Sequence, residues 1–185
     1  MNSLATLKLV IEKLNLEAHP IEGGYFTESY RAKEGTLKAA LPDRFDGDRS
    51  FCSQIYYVIS PGRISALHKM LADETWHFYR GSPIKLFEIT PEGEVLETLM
   101  GSDVLAGQLP QYTVMAENWL GAYNIDADEF SLVGCTVAPA MALDDYEHGK
   151  PEELLKQFPQ HEELIRKLTW KDDKKPPPIL SGGDD

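Results

Sequence analysis

The 185-residue chain is poor in three things, and each shortage removes a class of protein. It has two cysteines, Cys52 and Cys135, far apart and in neither a CxxC nor a zinc-ligand pattern, so a disulfide framework and a cysteine-built metal centre are excluded. Both are expected to be buried, reduced thiols. Basic charge is scarce as well: 18 Lys and Arg stand against 30 Asp and Glu, a formal net charge of −12. Nucleic-acid binding neutralises phosphates with clustered basic residues, and no such cluster is present, so nucleic acid is not an expected partner. The third shortage is of long apolar runs. Nothing approaches the roughly 20 residues of a membrane span, and MNSLATLKLVIEKLNL spreads Lys8, Glu12 and Lys13 among its apolar residues, unlike a secretory leader. These features predict a cytoplasmic protein with no membrane partner.

What is present is enough for an unaided core. Hydrophobic residues make up 42% of the chain, ordinary globular usage, and the length fits one domain. Leu4, Leu7, Val10, Ile11 and Leu14 recur at helical spacing, which predicts a helix over 3–14 with Ser3 as its cap. His19-Pro20 ends helical character and Glu22-Gly23-Gly24 supplies a turn, with Glu22 expected as a solvated loop carboxylate. The period then changes. Short runs rich in aromatic and β-branched residues lie at 25–30, 51–60, 75–79, 84–90, 95–99, 112–115 and 130–138, separated by Gly, Pro, Asp and Ser. Seven short strands predict an all-β sandwich or barrel, and Pro91-Glu92-Gly93 predicts a hairpin. Pro151, Leu154, Leu155, Phe158, Leu164, Ile165 and Leu168 return to helical spacing, giving C-terminal helices at about 150–170. The domain therefore covers 1–170. The tail, 171–185, holds too little apolar matter to pack and is expected to be extended or disordered.

Chemistry concentrates between His68 and Gly81. His68, Glu74 and His77 are three potential ligands within ten residues, where one strand turns into the next. A His and a Glu pointing inward from neighbouring strands could hold a divalent metal with open positions, or act as a general base and its orienting carboxylate. Alternation from Glu74 places Trp76 and Phe78 on its face and His77 on the opposite one. Trp119, Tyr25, Tyr30 and Trp76 are candidate ligand-binding aromatics, with Trp119 as a stacking wall. Glu28, an acid inside a strand, calls for pairing with Arg31, Arg63 or pocket groups. Gln54 and Gln111 are candidate hydrogen-bonding members of the cavity.

The spacing of His68, Met70, Glu74 and Gly81 resembles the first motif of the cupin superfamily, G-x5-H-x-H-x3/4-E-x6-G, with Gly62 as the leading glycine and Met70 in place of the second histidine. The second motif, G-x5-P-x-G-x2-H-x3-N, is more eroded: Met115 takes the proline position, Glu117 the glycine and Leu120 the third histidine, while Asn124 matches. Gly24-Tyr25-Phe26-Thr27-Glu28-Ser29-Tyr30 is similar to a strand of the dTDP-sugar 3,5-epimerases, and Ser65-Ala66-Leu67-His68 to the segment bearing their catalytic histidine. Their phosphate-binding arginine is replaced by Gly23, which argues against a nucleotide-sugar substrate. Most of the chain, from His19 to Pro139, resembles an uncharacterised branch of small single-domain bacterial and fungal cupins.

The resemblance implies a cupin double-stranded β-helix, or jelly roll, with an N-terminal helix and C-terminal helices, working as a homodimer. It implies a small-molecule pocket inside the barrel, with carbohydrate-like compounds among the candidate ligands, and acid–base catalysis by His68 with Glu74 as its orienting carboxylate. Two alternatives stand beside it: a sugar epimerase- or isomerase-like enzyme, and a divalent-metal oxygenase or hydrolase in which His68 and Glu74 are the surviving metal ligands of a degenerate site. A divalent metal is thus a candidate cofactor, but not the favoured one, because a thioether and an alkyl chain do not replace two imidazoles.

Overall fold

The computed structural model describes residues 3–170 and Pro178. The predicted tail, apart from Pro178, lies outside the described residues. An N-terminal helix, α1 (Ser3–Leu14), buries Leu7 and leaves its polar side to solvent. The Ser3 hydroxyl donates to Glu129 Oε1 at 2.7 Å and so ties the start of the helix to a distant loop.

Thirteen strands follow among the described residues: β1 (Glu17–Ala18), β2 (Tyr25–Arg31), β3 (Gly35–Thr36), β4 (Arg49–Ser50), β5 (Ser53–Ile59), β6 (Ile64–Met70), β7 (Asp73–Gly81), β8 (Ile84–Ile89), β9 (Val95–Met100), β10 (Gln111–Val114), β11 (Trp119–Asn124), β12 (Ser131–Ala138) and β13 (Tyr146–His148). Helices α2 (Pro151–Gln157) and α3 (Glu162–Lys167) close the described chain. One sheet runs β1-β2-β5-β12-β7-β10 and faces a second, β13-β6-β11-β8-β9, every pairing antiparallel. This is the predicted jelly roll, with one correction: the two sheets stay separate and do not close into a barrel. The hairpin at Pro91-Glu92-Gly93 joins β8 to β9 as predicted. Strands β6 and β11, central to the second sheet, were not among the predicted runs.

Alternation sorts the side chains into three layers. Tyr57, Ile59, Trp76, Ile84, Leu86, Met100, Leu120, Ala122, Val133 and Cys135 meet between the sheets. On the outer side of the second sheet, Leu67, Phe87, Ile89 and Trp119 are covered by Leu154, Phe158, Ile165 and Leu168 of the C-terminal helical segment. Leu7 and Leu16 cover Tyr25, Val58, Phe130 and Leu132 on the outer side of the first sheet. Each fully buried aliphatic or aromatic side chain here contributes on the order of 1.5–3 kcal/mol. Cys135 is buried, whereas Cys52 is only half-buried, and both are free thiols.

Candidate functional site

His68 sits on β6 with its side chain between the sheets and 2% exposed. Its Nδ1–H donates to the Ala66 carbonyl at 2.8 Å, which fixes the ring. Glu74, on β7, approaches from the facing sheet, with Oε2 3.8 Å from His68 Nε2. The structure thus brings together the imidazole and carboxylate expected from the sequence. A second carboxylate lies across the ring, Glu22 Oε2, 4.0 Å from Nδ1.

Glu22 is the main residue that sequence reasoning placed wrongly. It is buried at 8% exposure and accepts a short hydrogen bond from the Ser65 hydroxyl. Its loop is held on all sides: the Glu22 carbonyl accepts from Ala66 N–H at 3.0 Å, the Gly23 carbonyl from the Tyr57 hydroxyl at 3.0 Å, and the Ile21 carbonyl from Trp170 Nε1 at 2.8 Å. Gly23 has φ +104°, and a Cβ there would stand 2.8 Å from both the Ile64 carbonyl oxygen and the Trp170 ring. The glycine pair that reads as a flexible turn is the device that lets the chain fold inward and carry Glu22 beneath the sheet edge.

Electrostatics follow from this sandwich. Burial depresses the His68 pKa, but the carboxylates of Glu22 and Glu74 outweigh it and push it up to about 9, so the ring is an imidazolium at neutral pH. Burial raises the Glu22 pKa, and His68, His19 and the neighbouring Ser65 and Tyr57 hydroxyls overcome it, leaving it below its ordinary value. The Tyr146 ring stacks on His68 at a centroid distance of 5.3 Å. Burial, with Glu22 and Glu74 adding to it, raises the Tyr146 pKa, so its hydroxyl stays a neutral donor. Glu74 Oε2, Trp76 Nε1 and the Tyr146 hydroxyl are buried and make no hydrogen bond with any described residue. Buried polar atoms are almost always paired, so the Glu74 oxygen and the Tyr146 hydroxyl, both beside His68, mark a site prepared for a polar guest.

A pocket of about 700 Å³ opens beside this group, lined by His19, Phe26, Glu28, Arg31, Met141 and Tyr146 among others. His19 Nδ1 accepts from Glu22 N–H at 2.8 Å, and its Nε2 is 3.8 Å from Glu22 Oε2. Tyr146 belongs both to the pocket wall and to the His68 stack. Glu28 forms the expected pair with Arg31, whose Nη2 and Nε donate to its carboxylate at 2.7 and 3.0 Å on the pocket rim.

The other predicted ligand residues are scattered. Trp119 lies on the outer side of the second sheet beneath α2 and α3, with Lys69 Nζ 4.8 Å from its ring centroid, and so is no wall of the His68 pocket. Its position beside Leu120 in sequence put it on the opposite face, as alternation requires. Tyr25 packs under α1. Tyr30 and Gln54 are exposed on the outer side of the first sheet, and His77 points to that side as alternation predicted, 3.0 Å from Thr136 Oγ1. Trp76 alone of these faces the interior with Glu74. Residues that sequence reading left out are Glu22, His19 and Tyr146. The Gly23-Gly24 pair behind Glu22 was the available signal.

The residues do not fit the metal of a cupin centre. Glu22 and Glu74 lie at opposite nitrogens of one imidazole, so they cannot share an ion with it, and Nδ1 is committed to Ala66. Leu120 turns an alkyl chain inward where the motif has a histidine. Among the described residues no three His, Cys, Asp or Glu side chains converge on one point.

The chain belongs to the family described as Cupin superfamily (DUF985), whose model matches residues 8–149. A crystal structure of a protein from Shewanella oneidensis is 36% identical, with 91% of this chain and 97% of that one aligned and a TM-score of 0.77. A hypothetical protein from Leishmania major is 29% identical over 89% of this chain and 98% of its own, with a TM-score of 0.79. Oxalate decarboxylase from Bacillus subtilis shares the fold alone, at 12% identity and a TM-score of 0.51, the match covering 83% of this chain and 37% of that enzyme. No curated protein matches. No helix among the described residues is long and apolar enough to cross a membrane.

Proposed function

We propose that the protein binds a neutral, hydroxyl-rich small molecule of carbohydrate-like class through the Tyr146 pocket and isomerises it by proton transfer at His68 and Glu74. The observation that carries this reading is the buried Glu74 Oε2 and Tyr146 hydroxyl, each without a hydrogen bond to a described residue, beside a charged imidazole. Hydroxyl groups supply both the donors and the acceptors this set lacks, and Phe26 and Tyr146 offer apolar ring faces. A phosphorylated ligand is disfavoured by a site of two carboxylates and one imidazolium.

The charge state divides the roles differently from the sequence expectation. An imidazolium cannot accept a proton, so His68 is the acid and Glu74, with an open Oε2, is the base. In an α-hydroxycarbonyl substrate Glu74 takes the C–H proton while the electron pair moves to the carbonyl oxygen, which His68 stabilises by donating from Nε2. Return of the proton to the adjacent carbon, with His68 regaining its own from the neighbouring hydroxyl, completes the shift with no other reactant. Acid and base 3.8 Å apart serve a shift on one face of the substrate, which favours an isomerase over a two-faced epimerase. Glu22 holds His68 in its charged form.

A cytoplasmic homodimer is part of this proposal. Two free thiols suit a reducing compartment. The test is thermal denaturation against a panel of aldoses, ketoses and polyols, followed by nuclear magnetic resonance of deuterium uptake from D2O. A ligand at a hundred times its Kd is expected to add about 2.7 kcal/mol of stability. Deuterium should enter at the carbon next to the carbonyl and cease in Glu74→Gln. Uptake that persists in both Glu74→Gln and His68→Gln removes the mechanism, and a panel without a single stabilising compound removes the ligand class.

A further inference from the structure

Glu22 lies in a turn, between β1 and β2, where no ladder of strand or helix holds the backbone. Such a segment must satisfy its N–H groups locally, and here one side chain does most of that work. His19 Nδ1 accepts from Glu22 N–H at 2.8 Å and, more weakly, from Ile21 N–H at 3.4 Å. Pro20 between them has no N–H to place, and His19 N–H closes the turn on the Gly24 carbonyl at 3.0 Å. The imidazole is itself held from elsewhere. Phe26 of β2, Tyr57 of β5 and Tyr146 of β13 surround it at centroid distances of 4.8, 6.5 and 6.3 Å. Strands of both sheets thus fix the ring, and the turn hangs from it. Because Nδ1 accepts, the neutral ring carries its own proton on Nε2, which stands 3.8 Å from Glu22 Oε2.

We propose that His19 is a positioning residue of the site, whose Nδ1 fixes the turn that keeps the Glu22 carboxylate against His68. The inference rests on the reading of His68 as the acid and adds the residue that maintains it. A carboxylate is better solvated in water than beneath a sheet edge, so Glu22 stays inside only while its backbone leaves it no other course. Without an acceptor at position 19 the Glu22 N–H loses its partner, and the turn gains by opening to water, carrying the carboxylate with it. His19 acts on His68 through Glu22. The other polar groups that face His68 belong to strands that do not depend on the turn: Glu74 of β7, and Tyr146 and His148 of β13, the last directly opposite His68 in register.

Nuclear magnetic resonance of the labelled His68 ring in the full chain, titrated without any ligand, tests this with two complementary variants. His19→Asn loses the ring but keeps an acceptor, because Asn Oδ1 takes the place of Nδ1 and accepts readily from the N–H groups two and three residues on. His19→Phe keeps a ring among Phe26, Tyr57 and Tyr146 and loses the acceptor. His68 in His19→Asn should titrate as in the wild type. In His19→Phe its proton affinity should fall about tenfold or more, towards that of Glu22→Gln, and the double variant His19→Phe/Glu22→Gln should show no loss beyond Glu22→Gln alone. Should His19→Phe unfold, His19→Asn decides by itself. A loss in His19→Asn as large as in Glu22→Gln, wild-type titration in His19→Phe, or a further loss in the double variant overturns the role of His19 and leaves His68 as the acid. A wild-type His68 that is neutral at pH 7 overturns both.

Discussion

Two carboxylates lie buried between the sheets, and their surroundings differ in one respect. Glu88, 1% exposed on β8, accepts from the Tyr112 hydroxyl at 2.6 Å on one oxygen and from Asn118 Nδ2 at 2.8 Å on the other. Glu74, nearly as buried, has an imidazolium 3.8 Å away and an Oε2 with no hydrogen-bond donor among the described residues. The first is a closed polar node and the second an open one. Burial alone therefore does not distinguish a structural acid from a functional one. The distinction lies in whether the neighbours have used up its lone pairs.

The largest effect expected from this contrast is at the group facing the open node. His68→Ala leaves Glu22 and Glu74 buried together with no cation, and should cost about 3–5 kcal/mol in urea denaturation at pH 7. Glu88→Ala strands the Tyr112 hydroxyl and the Asn118 amide, and about 3 kcal/mol is expected by the same measurement, with deuterium uptake by the ligand retained. Gly23→Ala forces an L side chain into φ +104° against the Ile64 carbonyl and Trp170, and should cost about 2 kcal/mol while displacing Glu22. Glu74→Gln keeps the side-chain shape and loses the 3.8 Å ion pair with His68, whose charge Glu22 still balances, so it should cost about 1 kcal/mol, less than Glu88→Ala, yet abolish uptake. If Glu74→Gln proves as destabilising as Glu88→Ala, the two nodes are alike and the contrast fails.

The pH dependence of stability is a smaller effect of defined sign. The folded pKa of His68 is raised from 6.5 to about 9, so its contribution is complete below about pH 6.5 and is lost as pH rises towards 9. Glu22, with a lowered pKa, works the other way: its contribution is present above about pH 4.5 and is lost as pH falls below it. Thermal melts should show a decline of about 5 °C between pH 6.5 and 9, absent in His68→Gln.

Much of this was legible in the sequence, for physical reasons that also explain what was not. The runs that became β2, β5, β7, β8 and β9 are aromatic and β-branched with punctuated ends, and they formed strands where expected. Ile64–Met70 and Trp119–Asn124 escaped because both of their faces are buried, one by the opposite sheet and one by the C-terminal helices, so alternation is lost. His68 and Glu74 could be paired because cupin spacing fixes them on consecutive strands, which face each other from the two sheets. Glu22 could not, since a carboxylate 46 residues before His68 is drawn in by backbone hydrogen bonds and a left-handed glycine, neither of which leaves a periodic trace. Trp119 was misplaced by reading sequence adjacency to Leu120 as shared direction.

The charge on His68 is the point on which the assignment of acid and base depends. Nuclear magnetic resonance of the ¹³C,¹⁵N-labelled histidine rings, followed from pH 5 to pH 10, measures it directly. The account predicts a His68 ring protonated on both nitrogens at pH 7 that titrates near pH 9, with its midpoint falling in Glu22→Gln. A ring already neutral at pH 7, titrating at or below 6.5, would contradict it.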